Sequence, residues 1–217
     1  MPSGYSGSAW SIRPALLFLT KFLAFSLALF AVWKPVANAY LTLTLPAVNA
    51  VCRTAGRPVR VQASGREMVT IYTLDRGEFT LWAGNPDVVF LNLIVLVGLF
   101  GAFGPLALRR RIGRLGLALA VLWITHVAHF CLLSYTAIWE YLRGMLRAQG
   151  ALSAGQQALA EWAARAFPHG QSMPLNLALD FWRNWGMLAF AFLLWLALNG
   201  RDLRTLGMGG RPAGHLK

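Results

Sequence analysis

Acidic charge is the scarcest resource in this 217-residue sequence: 8 Asp and Glu stand against 20 Lys and Arg, and the four types together make up only 13% of the chain. A soluble domain carries about 25% charged residues. That shortage excludes the ordinary soluble class, and 57% hydrophobic residues point to a polytopic membrane protein. There are 2 cysteines, too few for a disulfide-dense scaffold or a four-cysteine zinc site. No CxxC, HExxH, Walker loop, GxSxG or dinucleotide fingerprint occurs, so the common soluble-enzyme chemistries have no motif to rest on. The net charge of +12 does not imply a nucleic-acid partner, because no basic stripe with interleaved aromatics stands in a soluble segment. Basic residues at membrane boundaries account for it.

What is present is organised around residues 109–135. Arg109, Arg110, Arg111 and Arg114 crowd a junction between two apolar runs, and short loops dense in Lys and Arg stay cytoplasmic. Residues 115–135 then contain no Asp, Glu, Lys or Arg, and about 20 apolar residues are enough for a helix to cross roughly 30 Å of hydrocarbon. The same reasoning places the other spans at residues 15–33, 88–106 and 181–199. Arg13, Arg201, Arg204, Arg211 and Lys217 then share the inner side with the acid Asp202. Both termini are therefore expected in the cytoplasm, and the chain in the lipid bilayer of an inner membrane. Ala37-Asn38-Ala39 has the form of a signal-peptidase site, but the apolar run before it exceeds a usual h-region and Lys34-Pro35 intervenes, so the first span is expected to be retained. Trp33 and Lys34 should mark its outer boundary. Small residues one turn apart, Gly98 with Ala102 and Gly116 with Ala120, predict contact between the second and third spans, and Asn92 should face the bundle interior.

Outside the membrane, the apolar segment 41–51 is broken by Pro46 and suits a helix or turn along the outer interface. Residues 58–84 alternate with period two, punctuated by Ser64-Gly65 and Asp75-Arg76-Gly77, and predict a three-stranded antiparallel meander. Residues 136–167 predict two amphipathic helices, parted at Gly150 and restarted by a capping box of Ser153 with Gln156. The expected fold is all-α membrane protein: one polytopic domain over residues 1–217, with four transmembrane helices, a small extracytoplasmic β-meander and amphipathic helices lying over the outer surface.

The convergent polar set comprises Asp87, His129, Asp180 and Arg183 at the outer helix ends, with His126 deeper. Ionisable groups inside spans are costly unless paired, and so are functional candidates. The structural alternative pairs His129 with a carboxylate and Arg183 with Asp180 at i,i+3. Two histidines one turn apart fall short of the three or four ligands of a stable metal site, so no metal or other cofactor is expected. Cys52 and Cys131 both fall towards the outer side, either as one disulfide or as two unpaired thiols, one in a loop and one packed in a helix. Cys131 lies about 200° round the helix from His129 and faces away from it.

At these outer helix ends the chain resembles the exosortases and archaeosortases and the small membrane proteins that accompany them in bacterial protein sorting. In that family a span opens with a nucleophilic cysteine, an arginine-rich inner loop follows, the next span carries an arginine and a later span begins with a histidine. Here those positions read Asn85-Pro86-Asp87, THVAHF with His129, and Leu179-Asp180. None of the three catalytic residues matches. The resemblance therefore implies a non-catalytic accessory protein that holds a sorting enzyme or its substrate, another membrane protein, at the outer face of a bacterial inner membrane. The alternatives are a divergent processing enzyme using the His/Asp/Arg cluster and a structural subunit of a larger membrane complex.

Overall fold

The computed structural model describes residues 12–64, 67–74, 77–84, 86–104, 107–168 and 173–208. Helices α1 (Ile12–Ala31) and α2 (Trp33–Thr54) precede strands β1 (Val59–Ser64), β2 (Glu67–Leu74) and β3 (Gly77–Gly84). Helices α3 (Pro86–Ala102), α4 (Leu108–Gln149), α5 (Ala154–Ala166), α6 (Met173–Phe181) and α7 (Met187–Met208) follow, with a π turn, Trp182–Gly186, between the last two. Among the described residues α4 alone is long and apolar enough to cross a membrane; α1 and α2 are so only when taken together, with a 73° bend between them, and the apolar stretch Phe90–Ala102 is shorter.

The bend ends the first helix at Ala31, two residues short of the expected boundary. Val32 leaves the helical conformation at φ −102°, ψ 14°, and Trp33, expected among headgroups, is buried with its ring 6.2 Å from that of Phe90. Helix α2 then runs unbroken through Pro46. A mid-helix proline costs about 3 kcal/mol, but Ala37, Leu41, Thr44, Val48 and Cys52 form one buried face on both sides of it. Two or three such side chains, at roughly 1.5–3 kcal/mol each for the larger ones, offset that cost, and Pro46 itself points outward.

Small residues do bring two helices close, though not the expected pair. Helix α1 lies along α3, where a Cβ on Gly98 would collide with Ser26 and one on Gly101 would stand 2.5 Å from the Phe25 ring. Gly116 meets nothing within 4 Å and Ala120 is exposed, so α3 and α4 touch instead through Phe90, Asn92, His126 and Phe130. Residues 181–199, expected as a fourth span, lie in one helical run from α6 through α7 that carries the π turn. Arg114 pairs with Asp202 and donates to Asn199 Oδ1 at 3.1 Å, which fastens the start of α4 to α7.

The meander has the expected antiparallel order β1-β2-β3. Val59, Val61, Thr70, Tyr72, Phe79 and Leu81 share the face turned to the helices, as the registers Val59↔Tyr72, Tyr72↔Phe79 and Thr70↔Leu81 require. The free edge of β1 is occupied by Asn49, whose side-chain amide takes both the N–H (2.8 Å) and the C=O (2.9 Å) of Val61. It acts as one residue of a fourth strand and blocks an edge open to pairing.

The expected helix after Tyr135 is a direct continuation of α4, which spans 42 residues, about 63 Å. It therefore stands out from the bundle as a post. Gly150 ends it at φ 71°, the left-handed conformation that glycine adopts without a Cβ penalty. The expected capping box opens α5, which buries Leu159, Trp162 and Ala163 against the sheet and the post. Three polar contacts complete the union: Tyr72 Oη donates to Ser134 O at 2.6 Å, Trp139 Nε1 to Phe167 O at 3.2 Å, and Arg57 to Ala166 O at 2.7 Å with its guanidinium 5.1 Å over the Tyr135 ring.

Two measurements check this packing. Gly101→Ala is expected to destabilise the detergent-solubilised protein by about 1–3 kcal/mol through overpacking against Phe25, while Gly116→Ala should be neutral or slightly stabilising; thermal unfolding of the pair distinguishes them. Burial pushes the Tyr72 phenol up from its ordinary value, so the folded state favours the neutral form. Its contribution is fully present below the unfolded value of about 10 and is lost as pH rises beyond it. Tyr72→Phe should therefore cost about 1 kcal/mol at pH 8, with a deficit that shrinks or reverses at pH 11.

Candidate functional site

The two histidines of α4 face different neighbours. His126 is fully buried, 0% exposed, among the rings of Phe90 (5.4 Å) and Tyr40 (5.6 Å). Tyr40 Oη donates to Nδ1 at 2.7 Å, and Nε2 lies 3.1 Å from Asn92 Oδ1. A neutral imidazole with its proton on Nε2 satisfies both contacts at once, so His126 is a fully bonded strut between α2, α3 and α4.

His129 is nearly as deep, 3% exposed, yet neither ring nitrogen has a hydrogen-bond partner among the described residues. It lines a cavity of about 320 Å³ together with Thr125, Leu132, Leu175, Leu179 and Trp182. The Thr125 hydroxyl is engaged by the Leu122 carbonyl at 2.7 Å. Across from the imidazole, the π turn carries Trp182 at its first position. Such insertions recur at functional sites because they re-aim side chains that a regular helix would place elsewhere.

The remaining candidates do not gather round this imidazole. Asp180 and Arg183 pair with each other at 2.9 Å, about half exposed, an arrangement worth roughly 0.2–1 kcal/mol. Arg183 is near enough to act on His129 electrostatically. Asp87 lies in the first turn of α3, and its side chain is outside the described residues. Of the expected structural network, the Asp180–Arg183 pair is present; among the described residues no carboxylate bonds His129. Among the described residues no three His, Cys, Asp or Glu gather so as to hold a metal ion.

A larger concavity, about 550 Å³, lies between β2, β3, α4 and α5, with Phe79, Tyr141, Gln156, Trp162, Glu161 and Arg165 in its wall. Tyr40 and Trp182 were not singled out as site residues from the sequence. Tyr40 reaches a histidine 86 positions away, a pairing that leaves no local signal. Compared with known protein families, curated proteins and solved structures, the chain matches none.

The cysteines depart from the expected pattern of one in a loop and one in a helix. Cys52 sits in α2, buried, and its Sγ lies 3.9 Å from Cys131 Sγ, which in turn lies 3.8 Å from Val48 O. Both are free thiols. A disulfide needs about 2.05 Å, a closure of under 2 Å between two adjacent helices. Treatment with diamide, which accepts the two electrons and two protons, is expected to join them. Both thiols should then resist maleimide labelling after denaturation unless dithiothreitol is added, and Cys52→Ser should restore labelling of Cys131.

Proposed function

We propose that this chain is a multi-pass protein of a bacterial inner membrane that acts without catalysing. In this reading it holds an exosortase-type sorting enzyme, or that enzyme's membrane-anchored substrate, at the outer face. The spans are α1, α3, α4 and the run from the π turn through α7, with α2 lying across the outer end and both termini cytoplasmic. Helix α3, 17 residues and about 26 Å, crosses a locally thinned bilayer. The Arg114–Asp202 pair supports the shared inner side, since it joins the arginine loop to the helix end that leads to the C-terminus.

The observation that carries this reading is the outer cap. Sheet and α5 are fastened to the uninterrupted post of α4 by buried aromatic rings and by the Tyr72 and Trp139 hydrogen bonds, with Arg57 bonded to α5 and laid over Tyr135 of the post. A groove of about 550 Å³ opens between them, within the range of binding clefts. A rigid, grooved platform held above a membrane suits presenting another protein. The catalytic alternative asks for a convergent acid–base set, and His126 is already bonded on both nitrogens.

A photo-crosslinking residue at Gln156, in the groove wall, tests this in native membranes. The expected adduct is a membrane-embedded cysteine transpeptidase, or a protein with one C-terminal span and a basic tail. The same residue at Thr80, exposed on the opposite face of the sheet, should give none. No protein adduct at Gln156, from a chain that purifies as a lone monomer, would overturn the reading.

A further inference from the structure

We propose that the cavity beside His129 binds a lipid-soluble molecule built on a flat ring with a carbonyl or hydroxyl oxygen, the chemical class of membrane quinones and quinols. The site rests on the membrane topology proposed above, and not on the docking role of the cap.

Its position comes first. His129 stands 15 residues above Arg114, about 22 Å along α4, which in a hydrocarbon layer of roughly 30 Å is the outer half. The rim is formed by Ala128, Leu132 and Ala178, all exposed, so the cavity opens sideways onto the surface that lipid covers. The charged pair Asp180–Arg183 lies just beyond it on the α6 side. A ligand reaching this place arrives through the bilayer and holds its polar end near the outer boundary.

The lining defines the chemistry. With the Thr125 hydroxyl engaged by its own helix, the imidazole is, among the described lining residues, the buried polar side chain left without a partner. A neutral imidazole offers one donor and one acceptor; left unpaired in an apolar site, each carries a desolvation cost that nothing repays. An acyl chain fills such a space without relieving that cost. A trapped water needs two to four polar partners, and a wall made mostly of Leu132, Leu175, Leu179, Ala128 and Ala178 suits it poorly. A transmembrane helix, about 10 Å across, is too wide for 320 Å³. A ring oxygen relieves the cost, and the volume, near the lower end for ligand pockets, suits a single ring with its tail left in the lipid.

Trp182 gives the ring a flat partner. A Cβ on Gly186 would stand 2.7 Å from the Trp182 ring, so the indole is laid over a glycine, and Phe190 packs against it at 5.5 Å. The side chain is thus held at the wall of the cavity, where offset stacking on a bound ring adds to what area burial alone supplies.

The test uses the full chain in phosphatidylcholine nanodiscs and an azido-benzoquinone with a decyl tail as photoprobe. Labelling of peptides from residues 125–132 or 175–182 should saturate. It should be displaced by decyl-benzoquinone and not by decanol, which has the tail and a hydroxyl without the ring. His129→Leu should weaken it about tenfold. Ala178→Phe, at an exposed position where the bundle packing is untouched, should block the cavity and abolish labelling. Labelling that rises linearly with probe, or that persists in Ala178→Phe, would reduce the signal to partition into lipid and overturn the site. Equal displacement by decanol would overturn the ring.

Discussion

One helix has to serve two cores, and the rest of the molecule is arranged by that constraint. The lower part of α4 buries Ala118, Leu122, His126 and Phe130, each four residues after the last, so one stripe faces α2, α3 and α7. Its upper part buries Ile138, Trp139 and Leu142 against the sheet and α5. Between them the stripe passes through Ser134, whose carbonyl receives the Tyr72 phenol and whose hydroxyl returns to Phe130 O at 2.7 Å. With no break in the helix, a tilt of the sheet and α5 must be shared by the bundle, so the groove between them is held in a fixed relation to α2, α3 and α7.

The small sheet depends on this post. Three strands are marginal alone in water, and here one face is covered by the post and α5 while the β1 edge is closed by Asn49 from α2. The turn between α2 and β1 is tied down as well, because Arg57 reaches the last carbonyls of α5 and lies over Tyr135. A cation at a helix C-terminus is favourable, and over an aromatic ring doubly so. Sheet, α2 and α5 therefore stabilise one another only where α4 brings them together.

Local devices were legible in the sequence and distant partnerships were not. The meander followed from period two and its turns, the end of α4 from Gly150, and the start of α5 from Ser153 with Gln156, since each signal acts within a few residues. The Asp180–Arg183 pair was legible for the same reason. Pro46 misled because its local cost is outweighed by burial along a face that only the packing reveals. Gly98 was recognised as a close-approach residue, but helical period tells which face is small and not which helix meets it; Phe22 and Ser26 of α1 do. Tyr40 with His126, and Cys52 with Cys131, are separated by 86 and 79 positions, and no spacing rule reaches that far.

The two histidines separate structural from functional polarity. Thr42, Thr44, Ser134 and Thr136 return their hydroxyls to carbonyls of their own helices, and Asn199 does the same with its amide. His126 is satisfied by Tyr40 and Asn92. Ser26, Arg111 and Trp195 each leave one polar atom unpaired, but none of them lines the cavity beside α6. His129 leaves both of its ring nitrogens unpaired and lines that cavity. Residue type and burial are therefore the same for His126 and His129, and the difference lies in what the neighbours supply. A fold that satisfies its first histidine with a tyrosine and an asparagine, and leaves the second facing an apolar recess, assigns the first to the architecture and the second to a ligand.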